Sequence, residues 1–149
     1  NVESHLVHRS VVVPVCSPRL LENEAPMTTT RDLTKQTLIH VTSRRNEWMR
    51  LLRQGGVSMS GQEKGLSFSS TQLALGAALE GLGIALSDRE LINRELQYGQ
   101  LVVPADLELL TGKAFYLIYP KGRQLTYGMR VFRDWLLDTM GLNGVNRTE

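Results

Sequence analysis

Two short polar segments of the chain carry the side chains best suited to holding a small ligand. The first comprises Thr42, Ser43, Arg44 and Arg45. An arginine side chain presents a fork of N–H donors that matches the two oxygens of a carboxylate, and neighbouring hydroxyls add further donors. The segment follows the apolar run TLIHV and precedes a helical pattern. We predict a carboxylate-binding turn here; the alternative is a solvated pair of surface charges.

The second polar segment lies between another predicted strand and the helix after it. It comprises Ser69, Ser70 and Thr71, and Ser87 follows the next predicted strand. In an open parallel sheet, ligands bind outside the carboxyl ends of the strands, where helix N-termini favour an anion. The alternative for Ser70 is a purely structural N-cap. Because adjacent parallel strands end at one edge of a sheet, we predict that the two segments share a rim.

Short apolar runs and apolar residues at helical spacing predict the elements that position these segments. Strands are predicted over residues 11–16, 37–41, 65–69, 84–86, 101–104 and 114–119, and helices over residues 46–54, 71–82, 88–98 and 126–140. Strands that alternate with helices of this length favour right-handed crossovers and a mainly parallel sheet. The predicted class is therefore α/β, with a Rossmann-like parallel sheet.

The composition is that of an ordinary globular protein. The 149 residues are 42% hydrophobic and 21% charged, enough for one core or two small lobes. The net charge is only +2, and the basic residues are spread along the chain, so this segment alone is not expected to bind nucleic acid. The apolar runs fall short of the roughly 20 residues that span a bilayer, and the start NVESHLVHR is unlike a secretory signal. We expect a cytoplasmic protein without a membrane partner.

The sequence lacks the motifs that are typical of several enzyme classes and of zinc sites. Cys16 is the single cysteine, which excludes an internal disulfide, and no Cys/His cluster has zinc spacing. Nucleophile-elbow, HExxH and P-loop motifs do not occur. Cys16 lies within an apolar strand, so we interpret it as a buried inert thiol, the alternative being a nucleophile. We therefore predict no enzyme, no metal and no cofactor.

Four segments in register resemble the effector-binding domain of LysR-type transcriptional regulators. They are VVVPVCSPRLL, TLIHV with its Trp-containing helix, SFSSTQLALGAALEGLGIAL, and AFYLIYPKGRQLTYGMRVFRDWLL. The segment SRRNEW is similar to the subgroup that holds the glycine-cleavage activator and the β-lactamase regulator. The resemblance implies the type II periplasmic-binding-protein fold, with two lobes and a small-molecule effector in the cleft between them.

The resemblance also implies how the chain divides. Residues 1–10 would be a crossover and the end of lobe one, 11–110 the effector-binding lobe two, 111–142 the second crossover strand and a helix returning to lobe one, and 143–149 a disordered tail. The first strands of lobe one and the winged helix-turn-helix that binds promoter DNA are expected upstream, in a longer parent protein. That parent is expected to form dimers or tetramers.

Carried over from the family, effector contacts fall on the two polar segments already chosen, and His40 and Glu47 are alternative polar contacts. The arginines and hydroxyls favour an anionic or amino-acid-like effector. The rival function is a solute-binding module of a transporter, which would share the two-lobed cleft.

Overall fold

The computed structural model describes residues 1–59 and 65–142. The chain divides into two compact units: one is Val11–Thr111, and the other combines Asn1–Ser10 with the chain from Gly112 onward. The strands are β1 (Val2–Val15), β2 (Leu38–Val41), β3 (Gly65–Phe68), β4 (Ile84–Asp88) and β5 (Leu109–Pro120). The α-helices are α1 (Thr30–Leu33), α2 (Asn46–Gln54), α3 (Thr71–Leu79), α4 (Asn93–Gln97) and α5 (Tyr127–Thr139). The tail expected over residues 143–149 lies outside the described residues.

The strands form one sheet in the order β3-β2-β4-β1-β5. The strand β2 is parallel to both β3 and β4, as the βα alternation predicts, whereas β1 runs antiparallel to β4. Parallel strands need crossover connections, and helices supply them here. The carboxyl ends of β2, β3 and β4 therefore point the same way.

Side chains alternate between the two faces of this sheet, and each face has its own apolar core. Leu38 and Ile84 pack with α2 residues on one face, where Trp48, Leu51 and Leu52 are all buried. Ile39 and Ala85 pack with α3 on the other face, through the alanines Ala74, Ala77 and Ala78. The small alanine side chains thus serve close packing of the helix on the sheet. With both faces covered, β2 and β4 are fixed in register.

Several sequence predictions need correction at the level of single elements. The first strand is longer than residues 11–16, because β1 begins at Val2. Residues 101–104 do not form a strand, and only Val102 makes an isolated bridge, to Cys16. The helix predicted over residues 88–98 is a 3-10 turn, Arg89–Ile92, followed by the short α4. Asp88 caps that turn by accepting the Glu90 N–H at 3.1 Å, which sets its start.

The smaller unit contains α5, whose N-cap Thr126 accepts the backbone N–H of Met129 at 3.3 Å. The apolar side chains that the sequence places on this helix are exposed: Met129 by 49%, Phe132 by 53% and Trp135 by 59%. Groups of this size are seldom left in water as a contiguous patch. Within the described part of the chain, no helix is long and apolar enough to cross a membrane.

Candidate functional site

The site is built on the carboxyl ends of β2 and β3. These strands are in parallel register, with His40 opposite Ser67 and Val41 opposite Phe68. The strand β2 continues into a 3-10 turn, Thr42–Arg44, while β3 continues through Ser69 and Ser70 into α3. The two polar segments therefore leave the sheet at the same edge, as the sequence predicts. We call this edge, from Thr42 to Arg45 and from Ser69 to Thr71, the rim.

Arg44 joins the two halves of the rim. Its Nη1 donates a hydrogen bond of 3.1 Å to the hydroxyl oxygen of Thr71, at the start of α3. Its Nη2 lies 2.7 Å from a carboxylate oxygen of Glu47, in the first turn of α2. The ion pair is largely sheltered, since the Glu47 side chain is only 6% exposed and that of Arg44 is 23% exposed. Arg44 thus crosslinks two turns and has its charge balanced within the protein.

Arg45 has a different environment from its neighbour. It is exposed and lines a cavity of about 260 Å³ together with His40, Met59 and Ser67. Within residues 1–59 and 65–142, no ion pair or hydrogen bond engages its guanidinium. Because successive residues of a 3-10 turn point about 120° apart, adjacent arginines diverge. Among the described residues, Arg45 therefore carries the positive charge of the rim that no ion pair balances.

The hydroxyl groups of the rim differ in their hydrogen bonds and in their exposure. Ser70 is the N-cap of α3, and its Oγ accepts the Leu73 N–H at 3.3 Å, so this hydroxyl already has a structural role. Thr42, Ser43 and Ser69 are exposed at the surface. The first-turn N–H groups of α3 lack intrahelical acceptors, which favours an anion at this end of the helix. The rim thus offers donors from side chains and from a helix terminus.

Ser87 lies apart from these exposed groups. It pairs with Val13 in the sheet and is fully buried. Among the described residues, no group forms a hydrogen bond with its Oγ. In this conformation a ligand at the rim does not reach it.

Glu47 has a larger structural role than the sequence predicts. The sequence predicts it only as an alternative ligand contact, whereas the residue is 5% exposed and forms the ion pair with Arg44. The signal in the sequence is the i, i+3 spacing of opposite charges, which brings side chains together on one side of a helical turn. A carboxylate in the first turn of α2 also interacts favourably with the helix dipole.

The single thiol is not a candidate nucleophile. Cys16 is fully buried, and burial raises the pKa of its thiol to about 11. A thiolate is the nucleophilic form, and a raised pKa leaves almost none of it at neutral pH. Within the described residues there is also no group of three or more His, Cys, Asp or Glu side chains placed to hold a metal ion.

This thiol gives a direct test of the core at β1. We expect Cys16 in the native chain to react with a thiol reagent such as DTNB at least about 100-fold more slowly than the same chain in guanidinium chloride, because the thiol is both shielded and protonated. Absorbance during labelling measures both rates. Rapid labelling of the native chain would contradict the burial of β1.

Known proteins match both the sequence and the fold. Residues 1–141 match the LysR substrate binding domain. The chain belongs to the LysR substrate-binding-domain family. It is 36% identical over 131 residues to the glycine cleavage system transcriptional activator of Escherichia coli K12, covering 88% of this chain and 43% of the relative. A Haemophilus influenzae homologue of that activator is 32% identical over 126 residues, covering 85% and 41%.

Solved structures confirm the fold class. The AmpR effector binding domain from Citrobacter freundii superposes with a TM-score of 0.78 at 23% identity, covering 94% of this chain and 68% of that one. The CrgA regulatory domain from Neisseria meningitidis gives a TM-score of 0.70 at 20% identity, covering 94% and 69%. The predicted α/β type II periplasmic-binding-protein fold is therefore confirmed. This chain spans under half the length of the curated relatives named above.

Proposed function

We propose that the rim binds a small anionic or amino-acid-like effector, and that this chain is the effector-sensing part of a LysR-type transcriptional regulator. The observation that carries the proposal is the 3.1 Å hydrogen bond from Arg44 to Thr71, which joins the two donor-rich turns. The family membership supports a sensor over a transporter module, because the curated relatives are named as transcriptional activators.

The charges at the rim favour a ligand with one carboxylate. Glu47 neutralises Arg44, so the net positive charge comes from Arg45. A guanidinium holds a carboxylate through two parallel N–H···O bonds, and the first-turn N–H groups of α3 are donors suited to a further oxygen of an anion. The cavity beside Arg45, about 260 Å³, is slightly smaller than most ligand pockets, which favours a small ligand such as an amino acid or a small aromatic acid. Amino acids, aromatic acids and cell-wall peptides are the classes to screen.

Ligand binding would act on a longer protein by shifting a population of conformations. A ligand that binds a closed arrangement better than an open one changes the equilibrium by that difference in affinity, typically ~1 to 3 kcal/mol. In the parent protein the change would reach promoter DNA through an N-terminal winged helix-turn-helix. Dimers or tetramers would transmit it, and the exposed apolar face of α5 is a surface that further protein would cover.

A thermal-shift screen tests the proposal. At a ligand concentration of 100 times Kd, we expect stabilisation of about 2.7 kcal/mol, which raises the Tm of a chain this size by about 5 to 10 °C. The Arg45→Met variant is expected to weaken binding at least about tenfold, because one charge-assisted hydrogen bond contributes about 1.5 to 3 kcal/mol. Calorimetric titration of the best ligand measures that loss.

The matched control is Arg53→Met, which removes the same charge from the far end of α2. Arg53→Met is expected to bind with unchanged affinity. Equal losses in the two variants would mean that net charge, and not the rim, attracts the ligand. A ligand whose affinity survives both Arg45→Met and Thr71→Val would place the site elsewhere.

A further inference from the structure

Arg50, in the middle of α2, is hydrogen-bonded to the backbone of β5. Its Nη1 donates to the carbonyl oxygen of Thr111 at 3.0 Å, and its Nη2 donates to the carbonyl oxygen of Leu110, also at 3.0 Å. Each of these bonds joins a charged donor to a neutral acceptor, which makes it stronger than an ordinary backbone hydrogen bond. One side chain therefore fixes two successive peptide groups of a strand.

The strand is irregular at the point where Arg50 holds it. In a regular β-strand successive carbonyl groups point toward opposite edges, so one guanidinium does not reach two of them. The next residue, Gly112, has φ +77°, a left-handed conformation outside the strand region. Thr111 is also the last residue of the larger unit, and Gly112 begins the return to the smaller one. Arg50 thus holds a kink at the point where the chain leaves the larger unit.

The first turn of the same helix carries Glu47, which forms the ion pair of the rim. Glu47 lies one turn before Arg50 on α2, and it contacts Arg44, which in turn contacts Thr71. Side chains three residues apart are neighbours on a helix surface, and the backbone between them is rigid. A continuous series of contacts therefore runs from the start of α3, through Arg44, Glu47 and α2, to the start of β5.

We propose that Arg50 is a positioning residue that makes α2 a link between the rim and the start of β5. A ligand that draws Arg44 away from Glu47 would shift the first turn of α2, and Arg50 would pass that shift to the peptide groups at Leu110 and Thr111. The two hydrogen bonds from Arg50 to β5 are present without any ligand. Transmission of a ligand-induced shift through them rests on the proposed function.

Hydrogen exchange measured by mass spectrometry on the whole chain, without ligand, tests this role. In Arg50→Met we expect the amides of residues 110–114 to exchange at least about tenfold faster, with exchange in α3 unchanged. Arg50→Lys keeps the positive charge but lacks the forked pair of N–H donors, so an intermediate increase in the exchange rates of these amides is expected. Arg53→Met, the same substitution one turn further along α2, is the matched control and should change these rates less than twofold.

The link itself is tested by a double-substitution cycle. Arg44→Met should accelerate exchange at residues 110–114 at least about threefold when Arg50 is present, and should add nothing in the Arg50→Met background. Equal effects of Arg44→Met in both backgrounds would overturn the link through Arg50. Changes below twofold in Arg50→Met, or a uniform acceleration across every strand, would overturn the positioning role. A failed ligand screen alters none of these outcomes.

Discussion

Replacing Gly83 with alanine is expected to lower the free energy of unfolding by about 3 kcal/mol. A methyl group at this position would collide with the carbonyl oxygen of Thr37. Because this is a backbone atom, it cannot move away by a side-chain rotation. That same oxygen accepts the Ile84 N–H at 2.9 Å, the contact that starts the pairing of β2 with β4. The collision therefore forces the two central strands apart where their register begins. Chemical denaturation followed by circular dichroism measures the loss.

The chain offers a matched control for this substitution in Gly76. Gly76 lies within α3, and a methyl group there would meet no atom within 4 Å. Alanine is the best helix former, so Gly76→Ala is expected to raise the free energy of unfolding by about 0.5 to 1 kcal/mol. The same substitution is thus expected to lower the free energy of unfolding at position 83 and to raise it at position 76. A destabilisation of less than 1 kcal/mol in Gly83→Ala would show that β2 and β4 are not held as closely as the structure places them.

The elements closest to the rim were the most predictable from sequence. The bounds of α2 agree with the prediction because its apolar residues recur at helical spacing and Gly56, with φ +74°, ends the pattern. Similarly, β2 and β3 differ from their predicted spans by one residue each. Strong periodicity and glycine stops are local signals, so the elements can be assigned from the sequence. The shared edge then follows because adjacent parallel strands end on the same side of a sheet.

What the sequence did not predict depends on the surroundings of a residue and not on its own segment. The strand β1 extends back to Val2 through a mixed run, HLVHR, whose side chains are half-exposed and carry no clear period. Residues 101–104 are as apolar as a strand, yet only Val102 finds a strand partner. At the rim, the two adjacent arginines are equivalent in the sequence, whereas the positions of Glu47 and Thr71 make Arg44 a structural crosslink. Only the folded contacts distinguish it from Arg45.

The rim and the core are joined through α2. Its first turn holds the Arg44 counter-charge, its middle holds Arg50 against β5, and its inner face buries Trp48, Leu51 and Leu52. The orientation of polar groups at the rim is therefore only as well defined as the packing of this helix on the sheet. Trp48 is the largest side chain in that packing.

Replacing Trp48 with alanine is expected to cost about 3 to 5 kcal/mol of the free energy of unfolding. The indole is 2% exposed, and its Nε1 donates a hydrogen bond of 2.8 Å to the backbone carbonyl of Ile39 in the central strand β2. Truncation both empties the space between α2 and the sheet and leaves a buried carbonyl without its donor. Trp48→Phe fills most of the space but lacks the N–H, so a smaller loss of about 1 to 3 kcal/mol is expected.

Trp135→Ala is the control, because it makes the same substitution at a side chain that is 59% exposed on α5. A change within about 0.5 kcal/mol is expected there. Urea denaturation followed by circular dichroism compares the variants on one scale, since removing either tryptophan alters the fluorescence. If Trp48→Ala and Trp135→Ala cost the same, α2 is not anchored through its indole, and the rim would then have to be positioned by the 3-10 turn and the Arg44–Thr71 contact alone.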